Sequence, residues 1–284
     1  MVDANEDGAW VRPLNDCTPG RKGFVLYWMQ AAHRSEENRA LEYAVRAANE
    51  RNLPLIVGFF LDESYPFASD RNITFLLEGL KAAESSLRVR GIGFGVVPGN
   101  PPRGVSRVAR DAALVVVDRG YLRIHGAWRR RVAEDVDCPV VEVETNVLVP
   151  VAAASQKQEY SAATFRPRIH AQIPSFLEPV QVHDPVRTST DLTDALLPRR
   201  VNLSDIPGVV RGMKIDHAVP PVRTMQGGTA EAHRRLRSFL ASGLDLYPEK
   251  RNDPSADCGS RLSPYLHFGQ ISPLTIYHSV QSQE

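Results

Sequence analysis

Cysteine is scarce in this chain of 284 residues, with three in all. Cys17, Cys138 and Cys258 are odd in number and share no metal-ligand spacing. That excludes a disulfide framework and a cysteine-built metal site, and it suits reduced thiols. Tryptophan is as rare, and Trp10, Trp28 and Trp128 all lie in the first half. No run approaches the roughly 20 apolar residues of a membrane span, and the stretch Met1 to Gly20 is polar and acidic without a signal-peptide core. The expectation is a cytoplasmic protein without membrane contact. A formal net charge of +1 gives no strong whole-molecule pull toward a polyanion. Only residues 199–261 hold a basic excess, with Arg234, Arg235 and Arg237 clustered, which suits a phosphate-tracking surface or a solvated helix face.

What is present is ordinary in bulk, since 43% hydrophobic and 24% charged residues fit one or two globular cores. Met1 to Arg21 has Asn, Asp, Gly and Pro without periodicity and reads as a frayed tail. From Lys22 onward short apolar runs alternate with segments of helical spacing. Gly23–Met29, Pro54–Leu61, Ile92–Val97, Ala113–Val117 and Pro139–Val143 read as strands. Between them Glu36–Glu50 (with Ser35 as cap), Asn72–Val89, Val105–Arg110 and Leu122–Glu134 read as helices. Near-continuous apolar strands alternating with amphipathic helices imply an α/β domain over residues 22–150, a five-stranded doubly wound parallel sheet. Ligands of such sheets bind beyond the carboxyl ends of the strands, here Trp28 to Gln30, Asp62 and Glu63, and Asp118 to Tyr121. Trp28 is better read as core than as ligand.

Residues 151–225 lose periodicity and gather prolines, which reads as an interdomain connector wrapping the surface with short helices such as Ser161–Ile169. After Gly227-Gly228 the helical pattern resumes, with Thr229 as cap and Ala230, His233, Leu236, Phe239 and Leu240 spaced for one buried face. Residues 226–284 therefore open a second, all-α unit. Its most unusual stretch is Asp257 to Pro273, DCGSRLSPYLHFGQISP, preceded by YPEKRNDP at Tyr247 to Pro254. Pro264 suits a first helical turn, Ser272-Pro273 repeats the arrangement, and Gly269 joins the two helices. Gly259, Ser260 and Ser263 around Arg261 could gather N–H groups and hydroxyls for a phosphate, or simply cap two helices.

RNDP followed by SRLSPYLHFGQIS resembles the opening of the flavin-binding domain of DNA photolyases and cryptochromes, and the His-Phe-Gly-Gln form resembles the class II cyclobutane pyrimidine dimer photolyases. LYWMQ at Leu26 to Gln30, NRALEYA at Asn38 to Ala44, DRGYLR at Asp118 to Arg123 and ASQKQEYSAATFRP at Ala154 to Pro167 agree with that subgroup, in the same order. The resemblance implies FAD as cofactor, active when reduced, with Tyr247, Gly259, Ser260, Arg261, Leu262 and Ser263 at its phosphates. It implies Arg251 as a contact to UV-damaged DNA, a deazaflavin-type antenna chromophore in the α/β domain, and a monomer when complete. Arg261 departs from the small or amide residue expected there. The family places most of its flavin domain, its tryptophan electron path and its lesion-side acid after the point where this sequence stops, so the expectation is an amino-terminal portion, inactive alone. A cryptochrome-like photoreceptor and a stand-alone nucleotide-binding module are the alternatives.

Overall fold

The computed structural model describes residues 8–18, 23–157 and 159–283. Five strands, β2 (Phe24–Trp28), β3 (Leu55–Leu61), β4 (Gly93–Pro98), β5 (Ala112–Asp118) and β6 (Val140–Val143), form a parallel sheet in the order β6-β5-β2-β3-β4. Nearly every strand residue is buried, as a sheet covered on both faces requires. Helices α1 (Arg39–Glu50) and α2 (Asp70–Val89) cover one face through Leu41, Val45, Leu77 and Leu80. Helices α3 (Pro101–Val108) and α4 (Arg123–Asp135) cover the other through Val105, Val108 and Val132. This is the expected doubly wound α/β architecture, and the winding of successive strands reverses between β2 and β5.

The amino-terminal stretch departs from the expected frayed tail. Val11–Pro13 forms β1 and pairs antiparallel with β6, making a six-stranded sheet. Residues 1–7 and 19–22 lie outside the described residues. Trp10 is buried against the Phe176 ring at 5.5 Å, with the Arg39 guanidinium 4.3 Å over it. Asn15 accepts from Val140 N and donates to the carbonyls of Ala133 and Cys138. Three residues including Arg12 and Pro13 are too short and too polar to announce a strand, and proline is tolerated because this strand is an edge.

Two helix starts also move. Asn38, not Ser35, caps α1, its Oδ1 accepting from Leu41 N at 3.1 Å. Helix α3 begins at Pro101 rather than Val105, because Asn100 caps it and two prolines supply the first turn.

The connector holds α5 (Val151–Ala154), α6 (Ala162–Gln172, capped by Ser161), α7 (Thr193–Leu196) and α8 (Ile206–Gly212). It does more than wrap the surface, for Leu203, Ile206, Val210 and Met213 enter the main core, and Ser189 Oγ accepts from Gly93 N at the free edge of β4.

Helices α9 (Thr229–Ser242), α10 (Tyr247–Lys250), α11 (Ser263–His267) and α12 (Pro273–Gln281) follow, and no residue after Gly227 pairs into the sheet among those described. Thr229 is the first helical residue and Gly228 stands at the cap, whereas Ala232 and Leu236 are the buried positions of α9. Ala230 is exposed, and His233, Phe239 and Leu240 are half-buried. A third core joins Ala232, Leu236, Leu262, Tyr265 and Ile271 to Phe75 of α2. The second unit therefore packs directly on the first.

Candidate functional site

The carboxyl ends of β2 and β5, where the winding reverses, are the natural ligand crevice of such a sheet. Here the chain itself fills the centre of that crevice. Asp118, fully buried, accepts from the main-chain N–H groups of Gln30 (2.6 Å), Ala31 (2.6 Å) and Ala32 (2.8 Å) and from Tyr27 OH at 3.0 Å. A carboxylate gathering consecutive N–H groups makes charge-assisted bonds that fix a loop, and the loop so fixed leads to Arg34. Burial pulls the Arg34 guanidinium down to about 10, so it stays charged at neutral pH. It donates to the carbonyl oxygens of Glu36, Glu37, Thr145 and Gly269 and to Asn146 Oδ1.

Gly269 thus meets the α/β domain at the mouth of its own sheet. Its φ is +61°, and a Cβ there would stand 2.0 Å from Ala31 O. Gln270, with no exposed surface, accepts from Gly228 N at 2.6 Å and donates to Phe75 O at 3.0 Å, lying across Gly79 of α2. The Gly-Gln pair clamps α11 and α12 onto α2 and onto the loop after β2.

Toward the rim lies an open cavity of about 330 Å³ whose lining includes Arg119, Tyr121, Arg123, Arg129 and Arg130. Arg129 pairs with Glu142 at 2.5 Å, and Arg119 pairs with Glu144. Trp28 is buried in the core, as expected. Trp128, Tyr65 and His125 pack as an aromatic trio with ring centroids 5.8 to 6.0 Å apart.

The residues singled out in the second unit lie on or near its surface. Tyr247 is half-exposed, stacked edge-on against Phe239 at 5.6 Å, and the Arg251 guanidinium stands 6.0 Å over its ring. Gly259, Arg261 and Ser263 are exposed and Ser260 is half-buried, its Oγ accepting from Leu262 N at 3.4 Å. Arg261 takes φ +53° and reaches Asp257 at 2.8 Å. Leu262 is buried in the third core. Cys258 is buried nearby. In the basic cluster, Arg234 and Arg235 are both held by Glu231, at 2.6 and 2.9 Å; Arg234 is exposed, whereas Arg235 is largely buried and also donates to Tyr265 Oη and to the Thr224 carbonyl.

Two histidines near the crevice supply a pH signature. His33 is buried edge-on against Phe59 at 5.2 Å, and burial pushes its pKa from 6.5 down to about 4. Burial moves His125 the same way, to about 4. Between those values the unfolded chain holds protons that the folded chain does not. Stability is therefore full above about pH 6.5 and falls as pH drops toward about 4, by up to about 1.4 kcal/mol per unit for a fully buried histidine. Urea unfolding of wild type and His33→Gln at several pH values between 4.5 and 7 should show a shallower slope in the variant. Equal slopes would contradict this assignment.

Comparison with known proteins follows the same outline. The family model described as DNA photolyase matches residues 25–185. A deoxyribodipyrimidine photo-lyase of Methanothermobacter thermautotrophicus is 41% identical over 265 residues, covering 93% of this chain and 58% of that protein. One from Potorous tridactylus is 33% identical over 254 residues, covering 87% and 46%. Among solved structures, an archaeal photolyase from Sulfolobus tokodaii, with two FAD molecules, has a TM-score of 0.68 at 21% identity, covering 92% of this chain and 55% of that one. A Synechocystis cryptochrome has a TM-score of 0.66 at 20% identity, covering 92% and 56%. The chain spans about half the length of the curated relatives it matches. At such identities the solved structures speak for the fold alone.

Among the site residues, Arg34, Asn38, Thr145 and Asn146 were not visible to sequence reasoning as a group. Their one signal is that Asn38 opens the NRALEYA segment. Its side chain donates to the Arg34 and Ala32 carbonyls while capping α1.

Proposed function

The chain belongs to the DNA photolyase family, and from that premise we propose that its residues serve a class II deoxyribodipyrimidine photolyase, the light-driven, FAD-dependent splitting of cyclobutane pyrimidine dimers in DNA. In this reading residues 22–150 are the antenna-type domain, 151–225 the connector and 226–284 the opening of the flavin-binding domain of a monomeric, cytoplasmic enzyme. The observation that carries it is the seating of Gly269 and Gln270. These are the residues by which the His-Phe-Gly-Gln form resembles class II, and both have fixed, buried contacts.

The residues present fit a flavin nucleotide. A Cβ at Gly259 would meet nothing within 4 Å, so a phosphate can approach the main chain there. Ser260 and Ser263 offer hydroxyls beside it, and Tyr247 offers a half-exposed ring and hydroxyl. The Arg261–Asp257 bridge is exposed, worth roughly 0–1 kcal/mol, so the guanidinium is free to turn to a phosphate. A reduced flavin held by these residues would supply the electron that opens the cyclobutane ring under light. The chain's own part is to orient it and, through exposed Arg251, to hold the DNA while the dimer is extruded, at a cost of a few kcal/mol that is least for damaged bases. The inner wall of the rim cavity, at Arg119, Tyr121 and Arg129, is our candidate for the deazaflavin-type antenna.

A chimera in which these residues replace the corresponding part of the Methanothermobacter relative is expected to hold FAD and to remove dimers from an oligonucleotide only under illumination. Flavin binding without light-dependent repair would overturn the reading in favour of a photoreceptor. In the same chimera, Arg251→Ala should weaken binding to dimer-containing duplex and lower its salt slope by about 1. An unchanged slope removes Arg251 from the interface.

A further inference from the structure

Helices α3 and α4 lie side by side on one face of the sheet, away from α9–α12, which pack on α2 across the sheet. Their inner faces are apolar and buried, and their outer faces carry arginine. On α3 and the turn after it, Arg103, Arg107 and Arg110 are all exposed. At 3.6 residues per turn they fall within about 60° of one another, a single stripe. On α4, Arg123 and Arg130 are exposed and about 20° apart by the same geometry.

None of these five guanidinium groups has an ion-pair or hydrogen-bond partner among the described residues. Some surface arginines are neutralised, such as Arg131 by Asp135 at 2.9 Å and Arg234 by Glu231 at 2.6 Å, and others, such as Arg199, Arg211 and Arg237, stand singly among those described; on α3 and α4 the unpaired ones are gathered on one face. The acids of this face, Asp111, Glu134, Asp135 and Asp137, sit toward the carboxyl ends of the two helices, at the amino edge of the sheet. They leave the end that carries Arg103 and Arg123 uncompensated.

We propose that the α3–α4 face is a contact surface for the phosphate backbone of undamaged duplex DNA, separate from the lesion-side site around Arg251. Arg103 and Arg110, and Arg123 and Arg130, are each seven residues apart, about 10 Å, close to the axial rise of three base pairs of duplex at about 3.4 Å each. Neighbouring helices set the stripes about 8–10 Å apart. The guanidinium fork matches phosphate oxygens in pairs. A protein partner would require an apolar, desolvated centre, and the exposed apolar side chains of this region, Tyr121 and Leu122, stand at the amino end of α4 while Ala127 alone is exposed and apolar within it. The surface carries no base-reading element, so it holds DNA without regard to sequence or damage.

The experiment uses the 284-residue chain, an undamaged duplex and no flavin or light, so its outcome is independent of the photolyase reading. Fluorescence anisotropy at several salt concentrations should give log K against log salt with a slope of about −0.9 per phosphate contacted. Arg103→Gln, Arg107→Gln and Arg130→Gln combined should lower the magnitude of that slope by about 2 to 3 and weaken low-salt binding at least tenfold. The control Arg131→Gln, whose charge is already paired, should leave both unchanged. No binding by wild type at low salt, an unaltered slope in the triple variant, or equal binding to an acidic polypeptide would each overturn the proposal. All four arginines are exposed, and matching circular dichroism and melting curves confirm that the variants are folded.

Discussion

Replacing Arg34 by Met should cost about 3 to 5 kcal/mol of unfolding free energy, the combined effect of several buried acceptors left without a donor at about 1 to 3 kcal/mol each. Arg34 is 1% exposed and donates to six oxygens, the longest bond being to Thr145 Oγ1, and no carboxylate is among them. Its charge is balanced by carbonyl dipoles and by the nearby carboxylates of Asp118, Glu37 and Glu36. Met fills most of the volume but leaves those oxygens facing a thioether, and an unsatisfied buried acceptor costs about 1 to 3 kcal/mol. Lysine should rescue little, because three donors on one nitrogen cannot reach the span that the guanidinium fork covers from Glu36 to Gly269. Urea denaturation followed by circular dichroism and by tryptophan fluorescence gives the value. A loss under about 1 kcal/mol would mean that water replaces the side chain, and that the Arg34 centre is not what joins the two units.

This dependence explains which parts of the molecule the sequence made legible. The sheet could be read because Val25, Val57, Val96, Val116 and Val141 belong to apolar runs whose length and spacing carry their own signal. Trp28 as core could be read for the same reason. Strand β1 could not, since Val11–Pro13 owes its position to pairing with β6, some 130 residues later. The Arg34 centre has no period either, being assembled from Thr145, Asn146 and Gly269, each distant in sequence. Resemblance placed Gly269 and Gln270 in a flavin motif, yet their immediate contacts are with the first domain, at Ala31 and Phe75. Leu262 is a similar case, because a motif groups it with cofactor contacts while its side chain serves the third core. The α3 start at Pro101 was in the sequence as Asn-Pro-Pro, a cap followed by two residues fit for a first turn, and outweighed by the apolar spacing that begins at Val105.

Gly269→Val should detach the second unit while leaving the sheet intact. Valine in the left-handed region is strained by about 1 to 3 kcal/mol, and its Cβ would overlap Ala31 O, a main-chain atom that cannot swing aside. Ala31 is itself pinned, since its N–H donates to Asp118 at 2.6 Å, so the variant must move α11 and α12 instead. That movement breaks the bond from Arg34 to Gly269 O and draws Gln270 out from between Gly228 and Phe75. Tyr265 and Leu262 share the third core with Phe75, so displacement reaches the exposed turn at Gly259 to Ser263 as well. A total of about 3 kcal/mol or more should then appear as local opening rather than global unfolding. Hydrogen exchange read by mass spectrometry should show amides of α9, α11 and α12 losing at least about a hundredfold in protection, since 1.4 kcal/mol is a factor of ten. Amides of β2, β3 and β5 should keep wild-type values. Retained protection in α11 and α12 would refute the clamp, while equal loss in the sheet would mean that the two units unfold as one and that Gly269 lies inside a single cooperative core.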